Sequence, residues 1–266
     1  SGGFFQNISF NKRLLDLGLQ GVYVPSAPND SGLSLGAALL YKMSVEKKRP
    51  RKTLSSYLGP QFKNEEIKDI LDEFNLDYKK SKNICRETAN FLKKGKIVGW
   101  FQGRSELGPR SLGARSVLGD PRKFINKAKI NQLLKKRDWF MPYAPSVLYD
   151  KMDFFYDKKI NCPYMSFSMK ITKNSSRIPA AVHVDGSSRP HTIKKNDFPR
   201  YYNLIKEFYR FTGVPAILNT SFNRHGIATI QTPRQAIEHL LNGCVEILVI
   251  EDFIVFAHKK NRNKHY

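Results

Sequence analysis

The stretch at residues 98–122, VGWFQGRSELGPRSLGARSVLGDPR, constrains this chain more than any other. An apolar run at 97–101 predicts a buried strand, and directly behind it Arg104, Arg110 and Arg115 are interleaved with Gly103, Gly108, Pro109 and Gly113. A strand feeding a tight loop of guanidinium groups suits an anion. Arg pairs two donors with two oxyanion oxygens, and Gly lets the backbone approach closely and take positive φ. The stretch alone leaves open whether the anion is substrate, cofactor or nucleic acid.

Elsewhere short strands alternate with helices, which argues for an α/β class. Helices are expected near 7–15, after the loop at 25–31, at 64–74 with Asn64 as cap, at 84–94 up to Gly95, at 124–134 and at 199–211. A last one runs to Leu241 from a Thr232 cap, with Pro233 in its first turn. Strands are expected at 22–24, 97–101, the end of 139–148, 165–171 and 216–218, with a closing hairpin at 246–250 and 253–256. Residues 46–56, EKKRPRKTLSS, are charged and aperiodic and read as a linker.

A net charge of +22 favours anionic partners, which include nucleic acid, anionic membranes, nucleotides and phosphorylated metabolites. Scattered lysines such as Lys47, Lys48, Lys79, Lys80, Lys93 and Lys94 read as solvated surface, and no aromatic-basic RNA motif accompanies them. An RNA-binding module is therefore the rival to an enzyme, with nucleic acid the less favoured partner, and a non-catalytic domain that only binds nucleotide is the third reading. Cys85, Cys162 and Cys244 lack C-x-x-C spacing and read as buried free thiols. No apolar run is long enough to cross a bilayer and no leader pattern opens the chain, so a cytoplasmic protein without a membrane partner is expected.

Four polar segments follow expected strands or helices: the arginine loop, Lys135 with Arg137, the turn from Asp185 to Arg189, and Asn219 with Ser221 and Asn223. Polar residues at such ends build ligand sites in open α/β sheets, and many cations with few carboxylates suit a substrate bearing several negative charges. The phosphate-loop, dinucleotide, H-E-x-x-H and G-x-S-x-G signatures are absent. His183 and His191 lack partner ligands for a metal. Asp30 or Ser31 either caps the following helix or, with Gly2 and Gly3, faces a nucleotide or a metal.

Four motifs, GRSELGPRSLGARSVLGDPR, KKRDWFMPYAPSVL, VHVDGSSRPHTI and NTSFNRHGIATIQTPRQAIE, resemble in order and spacing the C-terminal domain of the O-carbamoyltransferases. These decorate antibiotics, nodulation factors and other sugars. SGGFFQNISFN and PNDSGLSLGAALLY resemble the end of that family's N-terminal domain. The resemblance implies a YrdC-like α/β fold, a twisted open sheet with flanking helices, at 57–258. Ahead of it would lie the end of an actin-like ATPase (Kae1-like) domain at 1–45 and the linker at 46–56, with a basic tail at 259–266.

It also implies that carbamoyl phosphate and ATP, with Mg2+, form carbamoyl adenylate for transfer to a hydroxyl of a sugar or natural-product acceptor. Arg110, Lys135, Arg137, Arg189 and Ser221 would carry the chemistry. Arg104, Arg115, Asn219, Asn223, Gly2 and Gly3 would face the nucleotide. Asp30 matches the aspartate of a divalent-metal site, iron among its candidates, in the acceptor half. The family's HxxxH element is absent, so transfer would need a missing N-terminal half of the same polypeptide. Met141 stands where many relatives have Arg, so one phosphate contact is either lost or supplied by Lys136 or Arg137.

Overall fold

The computed structural model describes residues 1–49 and 55–259. The middle of the expected linker, 50–54, and all but the first residue of the expected basic tail lie outside the described residues. Seven helices, α1 (Ile8–Leu15), α2 (Leu33–Glu46), α3 (Asn64–Glu73), α4 (Ile84–Lys93), α5 (Phe124–Ile130), α6 (Pro199–Thr212) and α7 (Pro233–Leu241), surround ten described strands. These are β1 (Leu76–Lys80), β2 (Val98–Phe101), β3 (Arg115–Gly119), β4 (Ala144–Leu148), β5 (Met169–Lys170), β6 (Ser187–Ser188), β7 (His191–Ile193), β8 (Ala216–Ser221), β9 (Ile247–Ile250) and β10 (Phe253–Lys259). Eight form one mixed sheet in the order β1-β10-β9-β2-β3-β8-β4-β7, and β5 pairs with β6 apart from it. Within the large sheet β2 runs parallel to β9 and β4 parallel to β7, while the other neighbours are antiparallel.

The apolar run predicted at 97–101 becomes β2, buried along its whole length between β9 and β3. Successive residues of a strand look to opposite faces, so Trp100 and Gly99 meet different neighbours. Trp100 lies 6.5 Å from the Tyr201 ring of α6, whereas a Cβ on Gly99 would come within 2.6 Å of the Phe222 ring, itself 5.5 Å from His239 of α7. Helices thus cover both faces. The last helix begins as its sequence dictates: the Thr232 hydroxyl accepts from Gln235 N–H at 3.4 Å, and the Gln235 side chain accepts from Thr232 N–H at 3.2 Å.

Several expectations need correction. Asn64 is the first residue of α3 rather than its cap, and its amide donates to Asp252 at 2.7 Å. The backbone N–H of Lys63 donates to Glu66 instead, at 2.7 Å. Residues 22–24 form no strand, and of 165–171 only Met169–Lys170 pairs. The helix expected at 124–134 changes at Asn131 to a wider turn, Asn131–Lys135. Strand β8 continues through Asn219 and Thr220 to Ser221, placing the expected loop residues on a ladder. β1, β3, β6 and β7 are not among the expected strands. β1 alternates Leu and Tyr with charged residues, and β3 lies inside the arginine stretch. Cys162 and Cys244 are buried as expected, whereas Cys85 is half-buried.

Asn7 caps α1, accepting from Ser9 and Phe10 N–H at 3.1 and 3.0 Å. The buried Asn11 anchors this helix to the main body by donating to Ser166 O at 2.8 Å, and Ser168 N–H donates to Ile8 O at 3.1 Å. Among the described residues no helix is long and apolar enough to cross a membrane.

Candidate active site

The arginine loop is shaped by a residue its composition did not single out. One carboxylate oxygen of Glu106 accepts from Leu112, Ala114 and Arg115 N–H at 2.7, 2.8 and 3.1 Å, drawing residues 106–115 into a closed turn. Gly113 sits there at φ 96°, where an added Cβ would lie 2.5 Å from the Tyr201 ring. At Gly108, φ 113°, a Cβ would lie 2.2 Å from Ser26 O. Only glycine allows both approaches.

The three arginines separate. Arg115, expected at the nucleotide, is fully buried, its guanidinium 3.5 Å from the Phe101 ring centroid. It donates to Gln102, Gly103, Ala114 and Pro60 carbonyls at 3.2, 3.1, 3.1 and 2.9 Å. Burial lowers its pKa to about 10, with Glu106 and Glu251 opposing. Arg115 braces the scaffold through these carbonyls, with only its buried Nε left without a partner. Arg104 is exposed and touches Gly59 O at 3.3 Å. Arg110 is half-buried and makes no hydrogen bond or ion pair among the described residues, and burial lowers its pKa.

Arg110 shares its surroundings with Arg189, which links β6 to β7. Burial, then Arg110 and Arg137, draw Arg189 down to about 9, against a small opposing effect of Cys162. Its shielded Nε has no partner. Arg137 leaves the wide turn after Lys136, held at φ 45°, and its backbone is clamped by the Asn131 side chain at 2.7 and 3.1 Å. The Arg137 guanidinium lies 4.5 Å from the Tyr143 ring and donates to Pro142 O at 2.9 Å, again with an unpaired Nε. Lys127 of α5 is buried beside them, its pKa lowered by burial and then by Arg137.

Lys135 points its ammonium at the end of β8. It reaches Ser221 O and Oγ at 2.7 and 3.0 Å and Asn223 O and Oδ1 at 2.8 and 2.7 Å. Burial, with Arg137 adding to it, lowers Lys135 to about 7. Two residues back on β8, the Asn219 amide donates to Ser111 O at 3.0 Å and Ser146 Oγ at 3.1 Å, leaving its buried Oδ1 without a partner. Ser146 Oγ in turn accepts from Tyr201 OH at 2.8 Å and lies 3.0 Å from His191 Nδ1, whose burial lowers it to about 3. Ser146, Tyr201, His191 and Glu106 are the residues that sequence reasoning missed as a framework. Ser146, His191 and Tyr201 meet only across β4, β7 and α6, whereas Glu106 acts within its own loop. Asp185 closes the turn before Arg189 by accepting from Ser187 N–H at 2.9 Å, and Ser187 Oγ lies 3.0 Å from His183 Nδ1. Burial lowers His183 to about 4, so its ring is neutral near pH 7.

The tertiary structure therefore gathers Arg110, Arg137, Arg189, Lys127 and Lys135, and among the described residues none has a carboxylate within ion-pair distance. Gly2, Gly3 and Asp30 make no hydrogen bond or ion pair with the cluster among the described residues, although Pro28 and Ser26 of their segment line a small pocket with Arg110. Gly2 N–H donates to Pro28 O at 2.6 Å, and Gly2 and Asp30 border a separate cavity of about 1080 Å³ beside α2. Asp30 is exposed and caps no helix, and neither does Ser31, whose hydroxyl donates to Asn29 at 2.7 Å. Among the described residues no group of three or more His, Cys, Asp or Glu stands together to hold a metal ion.

The mixed α/β sheet thus carries a cluster of guanidinium and ammonium groups without carboxylate partners among the described residues, a chemistry that suits an anion. Residues 89–257 match the family described as Carbamoyltransferase C-terminus, and the chain belongs to it. Nodulation protein NolO of Bradyrhizobium diazoefficiens is 36% identical over 266 residues, 96% of this chain and 48% of that protein. Nodulation protein U of Rhizobium fredii is 34% identical over 228 residues, 85% of this chain and 38% of that one. The chain thus spans about half or less of the length of these relatives. Among solved structures it is similar to full-length HypF in a phosphate- and nucleotide-bound form, at TM-score 0.47 and 15% identity over 66% of this chain and 22% of that one. It is also similar to E. coli YciO, at TM-score 0.46 and 10% identity over 67% and 90%.

Proposed function

We infer that this chain is the C-terminal part of an O-carbamoyltransferase that binds carbamoyl phosphate and ATP and forms carbamoyl adenylate. The observation that carries this reading is the grouping of Arg110, Arg137, Arg189 and Lys135 without carboxylate partners. Two phosphorylated substrates bring a large anionic load, and cations already desolvated act on it in a low dielectric without reorganising. Arg110 and Arg189 are the groups for carbamoyl phosphate. Lys135, held to Ser221 and Asn223, supplies a further cation where charge develops on the leaving phosphates.

The balanced reaction consumes one water. Carbamoyl phosphate gives phosphate and carbamate, whose oxygen then bonds to the α-phosphorus of ATP as pyrophosphate leaves. No carboxylate stands in the cluster to bind Mg2+, which would be held by the nucleotide's own phosphates. Transfer to a hydroxylated sugar or natural product would draw on a preceding domain of the same polypeptide, a reading supported by the greater length of the nodulation proteins. Arg110→Ala and Arg189→Ala should each lose about a hundredfold or more of carbamoyl phosphate-dependent pyrophosphate exchange into ATP. Exchange at the wild-type rate in both, with the fold intact by circular dichroism, would reject the site.

A further inference from the structure

The loop that carries Arg110 is tied down at its entrance. The buried Gln102, directly behind β2, donates its backbone N–H to Ala114 O at 2.9 Å and its side-chain amide to Glu251 O at 3.0 Å. It accepts from Arg115 at its backbone oxygen at 3.2 Å and from Arg200 at Oε1 at 2.6 Å. Gly103 donates its N–H to the Glu251 carboxylate and accepts from Arg115 at 3.1 Å. All polar groups of these two residues are therefore engaged, whereas Arg110 makes no hydrogen bond among the described residues. The Glu251 carboxylate also accepts from Arg200 at 3.0 Å, and Arg200 spans to Asp252 at 2.8 Å. Arg200 is the second residue of α6, and the next one, Tyr201, backs Gly113 at the far end of the loop. The start of α6 and the turn after β9 thus hold the loop from both ends.

Glu251 occupies its position against the local preference of the chain. Ile250 pairs with Phe253, so Glu251 and Asp252 form a two-residue turn between β9 and β10, and Glu251 stands there at φ 44°. Such a turn, with positive φ at its first position, favours glycine, and the Cβ of glutamate is strained in it. Its carboxylate is half-buried as well, and burial raises its pKa against the opposing effects of Gly103 N–H, Arg200 and Arg115. The hairpin gains nothing from either feature; the partners of the carboxylate lie in the arginine loop and at the start of α6. We propose that Glu251 is a positioning residue, which through Gly103 and Arg200 fixes the entrance of the arginine loop and so sets Arg110 on its anion. The assignment rests on the carbamoyl phosphate reading above and adds to it the group that orients Arg110.

Carbamoyl phosphate is titrated calorimetrically into the full chain and into Glu251→Gly, which suits the turn and removes the carboxylate. A loss of stability alone leaves the affinity of the folded chain unchanged, so a weaker Kd reports the position of the loop. Glu251→Gly should bind about tenfold more weakly than the wild type. Glu251→Gln, which keeps an acceptor for Gly103 and loses the ion pair with Arg200, should lie between the two. In an Arg110→Ala background the loss from Glu251→Gly should shrink to less than about twofold, because a residue acting through Arg110 then has nothing to orient. Where Arg110→Ala weakens binding, wild-type affinity in both Glu251 variants, or the same loss with and without Arg110, overturns the positioning role and leaves the anion site standing. Failure of the wild type to bind, or of Arg110→Ala to weaken binding, overturns the two readings together.

Discussion

Arg189→Met should make the unliganded protein more stable and remove its response to phosphate. Burial and two neighbouring guanidinium groups draw Arg189 from the ordinary guanidinium range to about 9. At pH 7 it is charged in both the folded and the unfolded chain. Each pH unit of depression therefore opposes folding by roughly 1.4 kcal/mol, an upper figure of ~5 kcal/mol. Relaxation and a higher effective dielectric reduce this, and ~1–3 kcal/mol is the working magnitude. Met keeps the apolar stem and limits the cavity, so the variant should melt roughly 3–8 °C above the wild type.

Inorganic phosphate should do the reverse. At a hundred times its Kd it stabilises a protein that binds it only when folded by ~2.7 kcal/mol, and this rise should be seen in the wild type and largely lost in Arg189→Met. Thermal unfolding followed by circular dichroism, with and without phosphate, reads both effects. A variant that melts below the wild type and keeps the full phosphate-induced rise would refute the reasoning, because Arg189 would then be a structural residue.

Three further outcomes are expected. Lys135 is lowered to about 7, so its charge is present below that pH and lost above it; carbamoyl phosphate binding should weaken as pH rises from 6 to 8, and calorimetry should find that dependence gone in Lys135→Met. His191 and His183, lowered to about 3 and about 4, stay neutral when folded but charge near pH 6.5 when unfolded, so stability is held above pH 6.5 and lost as pH falls toward 4 by ~1.4 kcal/mol per unit for each ring. Urea unfolding of His191→Phe should show roughly half that acid slope, and an unchanged slope would count against the assignment. Glu106→Ala leaves three loop amides without their shared acceptor. It should cost ~2–4 kcal/mol and more than a tenfold loss of exchange activity, with Glu106→Gln losing less; wild-type exchange by the alanine variant would contradict the role given to the loop.

Much of the architecture was legible in the chain because its signals are local. The unbroken apolar run became the buried β2, Thr232 and Pro233 opened α7, a helix formed within 7–15, and the expected twisted sheet with flanking helices is present. Four strands lie outside those expected: β1 and β3 carry charged residues, β6 and β7 are only two and three residues long, and their fit comes from pairing, Leu76 with β10 and His191 with β4, while Arg115 bonds carbonyls of its own loop and of Pro60.

The candidate site divides in the same way. Guanidinium groups held among glycines announced an anion, because that chemistry depends on residue type and spacing. Which arginine serves the anion and which the scaffold depends on burial and partners, and a one-dimensional pattern contains neither. Arg110 and Arg115 are five residues apart in one motif, yet one is left without a partner and the other is fully buried and bonded to four carbonyls. Only the folded sheet, which brings Lys135 against Ser221 and Arg189 within reach of Arg110 and Arg137, turns separate loops into one field of positive charge.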